Sequence, residues 1–277
     1  MASNAIWFLY AKYMRKYLVE FIGTFFLVFT VGNTVIEPGA GPLAPIAIGS
    51  ILMVMIFAGG HISGGHYNPA VTLAVWMRGK CPTSDVPGYM IAQVAAGVVA
   101  AILVLFMKGD AKISAMAFER GALIPLLAEF LGTFALAFVV LNAATAKANS
   151  NNSFYGLAIG FTVLACAFSL GGYSGGAFNP AVAVGITAMG LNAVGNIWIH
   201  LIGELAGGAV AAVTFRFVSP DDVQRAVVSP LIGLSERTKA NSPAQVVLSA
   251  RCSKGSTRVG CWASLPVSQR QGLGDES

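Results

Sequence analysis

Charge is what this sequence has least of. Only 10% of its 277 residues are Asp, Glu, Lys or Arg, while 56% are hydrophobic. A soluble domain carries about 25% charged residues. This chain cannot cover a globular surface with polar groups, so it belongs in a lipid bilayer. Cysteine is also scarce, with Cys81, Cys166, Cys252 and Cys261 the four thiols. Cys166 falls inside an apolar run and the others in polar segments expected on the cytosolic side, so no disulfide framework is implied. No group of His, Cys and acidic residues has metal-ligand spacing, and no nucleophile–base pair stands out, so neither a cofactor nor an enzyme is expected. The net charge is +5, but no basic face exists before the C-terminal segment, which argues against nucleic acid as a partner. No cleavable signal is expected at the start, and the first apolar run is read as its own insertion signal.

Against this apolar background two short stretches stand out. One is Gly64-Gly65-His66-Tyr67-Asn68-Pro69-Ala70-Val71, the other Gly175-Gly176-Ala177-Phe178-Asn179-Pro180-Ala181-Val182. In each, glycines free the backbone, an asparagine stands at a helix N-cap, and proline fills the first helical position, where its missing N–H costs nothing. The apolar runs that follow reach about Met77 and Met189. A helix of ~10 residues rises ~15 Å, half of a ~30 Å hydrocarbon core. Each stretch therefore predicts a loop that dips into the membrane and becomes a half-helix. Irregular backbone at that depth must be buried in protein or lined by water. Entering from opposite faces, the two N-termini and both asparagines would meet at the midplane. Each asparagine oxygen would cap its own helix and leave the amide N–H₂ free to donate into a pore. The half-helix N-termini would add partial positive charge that repels cations and protons.

Six spans are expected, over about 17–36, 43–60, 86–107, 122–144, 154–170 and 196–218. Residues 1–16 read as a partly helical cytosolic lead, 17–218 as the channel domain, and 219–277 as a mostly disordered cytosolic tail. The channel domain repeats. Glu20-Phe21-Ile22-Gly23-Thr24-Phe25 echoes Glu129-Phe130-Leu131-Gly132-Thr133-Phe134, and Gln93-Val94-Ala95-Ala96-Gly97 echoes Glu204-Leu205-Ala206-Gly207-Gly208. The repeats cover about 17–107 and 122–218. With three spans in each, the second must enter from the opposite face, which makes an inverted repeat. The fold class is thus an all-α membrane protein of six spans and two re-entrant half-helices. Basic residues cluster before the first span (Lys12, Arg15, Lys16) and after the first half-helix (Arg78, Lys80), which predicts cytosolic termini.

The paired Asn-Pro-Ala boxes, Asn68-Pro69-Ala70 and Asn179-Pro180-Ala181, each after a Gly-Gly pair, make the chain resemble the aquaporin family, the major intrinsic proteins, over roughly residues 16–218. The resemblance implies a passive channel for water and small neutral solutes, a homotetramer with one pore per subunit, and a plasma or vacuolar membrane as its home. It supports reading the intramembrane carboxylates Glu20 and Glu129 as acceptors for N–H groups of the re-entrant loops; a proton relay is the alternative. The carbonyls of Gly64, Gly65 and His66, and of Ser174, Gly175 and Gly176, would form acceptor ladders. His61 reads as a packing histidine or else a gate. Most of the family has arginine directly after the second box, where this chain has Val182. Counting as the family does puts Ile48, Ala167 and Gly176 at the other constriction positions. Tonoplast-type members share the valine but usually have histidine at the Ile48 position. The resemblance therefore implies a wide, weakly hydrogen-bonding constriction and permeants beyond water, such as glycerol, urea or ammonia. The competing function is an ion-coupled secondary transporter, also built from inverted repeats; it needs ionisable groups near the midplane, where no clustered carboxylates are expected. A membrane scaffold would leave the boxes unexplained.

Overall fold

In the computed structural model, which describes residues 2–223, nine α-helices follow one another: α1 (Ala2–Val35), α2 (Ala44–Ser63), α3 (Pro69–Met77), α4 (Val86–Lys108), α5 (Leu123–Val140), α6 (Tyr155–Ser174), α7 (Pro180–Ala188), α8 (Ile197–Val218) and α9 (Pro220–Val223). Six segments are long and apolar enough to cross a membrane: Met14–Val35, Gly41–Ser63, Val86–Lys108, Leu123–Thr145, Tyr155–Ser174 and Val194–Val218. Six crossings return the chain to the face where it began, here called the terminal face.

Two boundaries differ from the sequence expectation. No break separates a lead from the first span: α1 is continuous from Ala2, because the first glycine is Gly23 and no proline precedes it. At the other end, residues 219–223 are ordered. Asp222 of α9 approaches Arg78 at 3.6 Å and Lys147 at 3.5 Å. The expected tail from residue 224 onward, with Cys252 and Cys261, lies outside the described residues.

The packing is that of an inverted repeat. α1 pairs with α4 and α2, and α5 pairs with α8 and α6 in the same way. The half-helices cross over: α3 packs against α8, and α7 against α4. Glycines make the crossings possible. A Cβ on Gly97 of α4 would stand 2.5 Å from the Ala181 carbonyl oxygen, and one on Gly208 of α8 would stand 2.6 Å from that of Ala70. Such close approach is how helices associate in lipid, where burying apolar surface brings little. α5 ends in a π-turn, Leu141–Thr145. Its Thr145 carbonyl, with the Asp222 carbonyl, accepts from the Arg78 guanidinium, which also lies 4.8 Å over the Phe215 ring. The first half-helix is thereby fastened to the terminal face.

Candidate functional site

The two boxes build the site from matching local chemistry. Asn68 and Asn179 are extended, and their side-chain oxygens cap the half-helices: Asn68 Oδ1 accepts from the Ala70 N–H at 2.8 Å, and Asn179 Oδ1 from the Ala181 N–H at 2.9 Å. Pro69 and Pro180 open α3 and α7. The amides are not wholly free, as the sequence suggested. Asn68 Nδ2 donates to the Phe178 carbonyl at 2.9 Å, and Asn179 Nδ2 to the Tyr67 carbonyl at 2.8 Å. One hydrogen of each amide thus ties the box to the opposite loop, and the second is not used in these bonds.

These bonds require an uncommon backbone. Tyr67 and Phe178 both have φ of +49°, a left-handed conformation that costs a non-glycine residue about 1–2 kcal/mol. Their neighbours hold them there. Tyr67 and Phe178 are fully buried, against Gly23 and Gly132, where any Cβ would collide with the rings. Their N–H groups donate to carboxylates, Tyr67 to Glu20 Oε2 and Phe178 to Glu129 Oε2, each at 2.7 Å. Glu20 also accepts from the His66 N–H, the Ser63 hydroxyl and Gln93 Nε2. Glu129 also accepts from the Ala177 N–H at 3.1 Å. Two left-handed aromatic residues at equivalent positions were invisible in the sequence, because side-chain type argues against that conformation.

A cavity of about 210 Å³ runs beside the boxes. Its wall includes Asn68, Asn179, His66, Gly65, Gly175 and Gly176, together with Ile48, Ala167 and Val182. All four expected constriction positions therefore share one cavity with both asparagines. No Asp, Glu, Lys or Arg lines it. A second cavity, of about 410 Å³, opens at the terminal face beside Lys16, His61, Gly64 and Asp85; His66 and Val140 line both. Ser174 is not on either wall: it is buried, and its hydroxyl accepts from the Gly176 N–H at 3.2 Å. His61 is exposed at the terminal mouth rather than packed. His66 is the packed one, with Nδ1 3.1 Å from the Thr72 hydroxyl and its ring edge-on to Tyr89. Beside the terminal cavity, burial, with Asp85 nearby, pushes the Cys81 thiol up to about 11.

The structure also places carboxylates together where none were expected. Glu129, His200 and Glu204 are fully buried, with ligand-type atoms within 4.8 Å of one another. The repeat offered a signal: Glu204 falls where the first half has Gln93, and His200 where it has Tyr89, both 111 positions on.

Comparison with known proteins decides the family. The profile described as "Major intrinsic protein" matches residues 8–215. The chain belongs to the major intrinsic protein family. Proteins of this family are passive channels for water and small solutes rather than enzymes, and this chain is one. Among relatives, it is 34% identical to glycerol uptake facilitator protein-like 6 of Lactiplantibacillus plantarum, over 76% of this chain and 100% of that one. It is 34% identical to probable aquaporin TIP2-2 of Oryza sativa, over 75% and 88%. Aquaporin NIP1-3 of the same plant is 36% identical, over 75% and 74%. The aquaglyceroporin of Plasmodium falciparum shares the fold, with a TM-score of 0.64 at 20% identity over 76% of this chain and 98% of that one.

Proposed function

We propose that this major intrinsic protein passes water together with small neutral solutes of the glycerol, urea or ammonia kind, and excludes ions and protons. One observation carries the reading: Ile48, Ala167, Gly176 and Val182 share a cavity wall with both asparagines, and none of the four has a polar side chain. A strict water pore must replace the hydrogen bonds that water loses at its narrowest point. A wall of isoleucine, alanine, glycine and valine replaces few, and it leaves room for wider, carbon-bearing solutes. The name of the glycerol facilitator relative points the same way.

Ion exclusion rests on the half-helix N-termini, whose partial positive charge lies where Asn68 and Asn179 line the first cavity. An ion-coupled transporter would need ionised groups on the wall; Glu129 and Glu204 are packed away from it. The terminal face is cytosolic in this reading. It carries Lys16, Arg78, Lys80, Lys147 and Arg216, against Lys108, Lys112 and Arg120 on the other face, and the excess of basic residues near span ends marks the cytosolic side. The host is a plasma or vacuolar membrane. The assembly is a homotetramer with a pore in each subunit, and outward residues such as Ile91, Phe106 and Phe217 face lipid or a second copy.

The test is flux through purified protein in proteoliposomes, for water, glycerol, urea and ammonia, with Val182→Arg as the variant. Arginine would add donors and fill the space valine leaves. Water flux should stay measurable, while glycerol or urea flux falls at least about tenfold, equivalent to ~1.4 kcal/mol of barrier. A well-folded variant that passes the larger solutes as fast as the parent would remove residue 182 from the constriction and the reading with it.

A further inference from the structure

The two re-entrant segments are anchored by the same device built from different chemistry. In the first half, Gln93 Nε2 donates to Glu20 Oε2 at 2.8 Å and to the Thr72 hydroxyl at 3.0 Å. Moving 111 positions along turns Gln93 into Glu204, Tyr89 into His200 and Thr72 into Ala183. The amide that steadies the first carboxylate is replaced, in the second half, by another carboxyl. His200 Nδ1 lies 3.3 Å from Glu129 Oε1 and 3.9 Å from Glu204 Oε1, without the alignment of a hydrogen bond. All three side chains are fully buried. Neither Glu204 oxygen has a hydrogen-bond partner, although the Asn179 backbone N–H is near enough to act on the carboxyl.

We propose that Glu204 is a positioning residue for the second half of the pore and works as the neutral acid, its carboxyl hydrogen donating to Glu129 as the Gln93 amide donates to Glu20. Two carboxylates this close in a dry core would each lose hydration and repel one another. A single proton held between them removes one charge and supplies the missing donor. The chain of contacts then runs to the pore. Glu204 steadies Glu129, Glu129 holds the N–H groups of Ala177 and Phe178, and the Phe178 carbonyl receives Asn68.

Among the described helices against α8, α5 brings only Glu129 and α3 and α7 carry no titratable side chain, while Asp221 and Asp222 of α9 follow the far, C-terminal end of α8. On α8 itself, His200 is the neighbour one turn away. The Phe118 ring covers His200 at 6.4 Å, and beyond it Glu119 and Arg120 are exposed. Glu129, His200 and Glu204 also have the donor types for a divalent cation. The neutral acid is favoured because it reproduces the hydrogen bonding of the first half with no added component, and neither cavity beside the boxes reaches the three.

This inference rests on the pore reading for its consequence, but the proton can be tested alone. The full-length chain in lipid is compared with Glu204→Gln by infrared spectroscopy at neutral pH. The expected result is a protonated-carboxyl C=O band in the parent that Glu204→Gln lacks. Loss of carboxylate bands only would overturn the proposal. Water flux in proteoliposomes gives the second readout. Glu204→Gln should keep flux within about twofold of the parent, because the amide donates as Gln93 does. Glu204→Met, of similar length but without a donor, should fall at least about fivefold. A Glu204→Gln variant as impaired as Glu204→Met would overturn the donor role. So would one divalent cation per chain in elemental analysis of the purified parent, lost in Glu204→Gln, which would make the cluster a metal site instead.

Discussion

Gly208→Ala tests how the half-helices are seated. The new methyl would stand 2.6 Å from the Ala70 carbonyl oxygen and 3.2 Å from its carbon, where ordinary contact begins at 3.4 Å. The shortfall is with backbone, which cannot rotate aside, so α3 and α8 must part by several tenths of an ångström. Overpacking of this kind costs about 1–3 kcal/mol. Alanine's better helix propensity returns at most about 1 kcal/mol, so the clash should win, with a net loss of about 1–2 kcal/mol. For a domain of this size that corresponds to a melting temperature lower by about 2–8 °C. Gly172→Ala is the control, since a Cβ there meets nothing within 4 Å; it should melt at or slightly above the parent. Displacing Ala70 also displaces Asn68, so water flux per folded Gly208→Ala channel should drop. The assay is thermal unfolding in detergent, followed by flux of the folded fraction. A Gly208→Ala protein as stable and conductive as the Gly172→Ala control would refute the claim that this glycine sets the half-helix position.

Three other outcomes follow from the same geometry. Asn68→Asp places an anion where positive half-helix ends meet, and recordings from oocytes or bilayers should show a new cation or proton current; an electrically silent variant that folds and passes water would refute the midplane barrier. Truncation after Val223 should leave assembly and flux intact, whereas truncation after Val218 removes Asp222 from Arg78 and should lower the melting temperature; equal stability of the two would show that the Arg78–Asp222 contact contributes nothing. The Cys81 thiol, raised to about 11, is protonated at neutral pH. Its alkylation should therefore be slow at pH 7 and accelerate as pH climbs toward that value, measured by mass spectrometry against a free thiol standard; rapid labelling at pH 7 would contradict the burial.

The spans were legible because hydropathy and length are local properties, and α4 and α8 begin and end within a residue of expectation. The half-helices were legible for a related reason: Gly-Gly, then asparagine, then proline spell a capped start in adjacent letters. What escaped depended on residues far apart. The donation of Asn68 to Phe178 spans 110 positions and needs the crossing of the loops to be known. The meeting of Glu129 with Glu204 depends on which faces of α5 and α8 touch, and apolar helices in lipid have no polar face to betray that. The lead was read as partly helical, and that its helix runs unbroken into the first span was not legible, because a change from polar to apolar residues marks a membrane boundary and not a helix end.

The reciprocal bonds between the boxes carry a consequence for synthesis. When the first three spans have entered the bilayer, Asn68 and Tyr67 are in place, but their partners Phe178 and Asn179 are still unmade. About 70 residues must be added after the third span, which ends at Lys108, before they arrive, roughly 4–14 s at ribosomal speed. Throughout that interval the nascent half holds an amide and a carbonyl at membrane depth with no protein partner, so translocon, lipid headgroups or trapped water must shelter them. The order of translation thus makes the amino-terminal half the waiting partner, and a pause between the halves would lengthen its exposure to quality control.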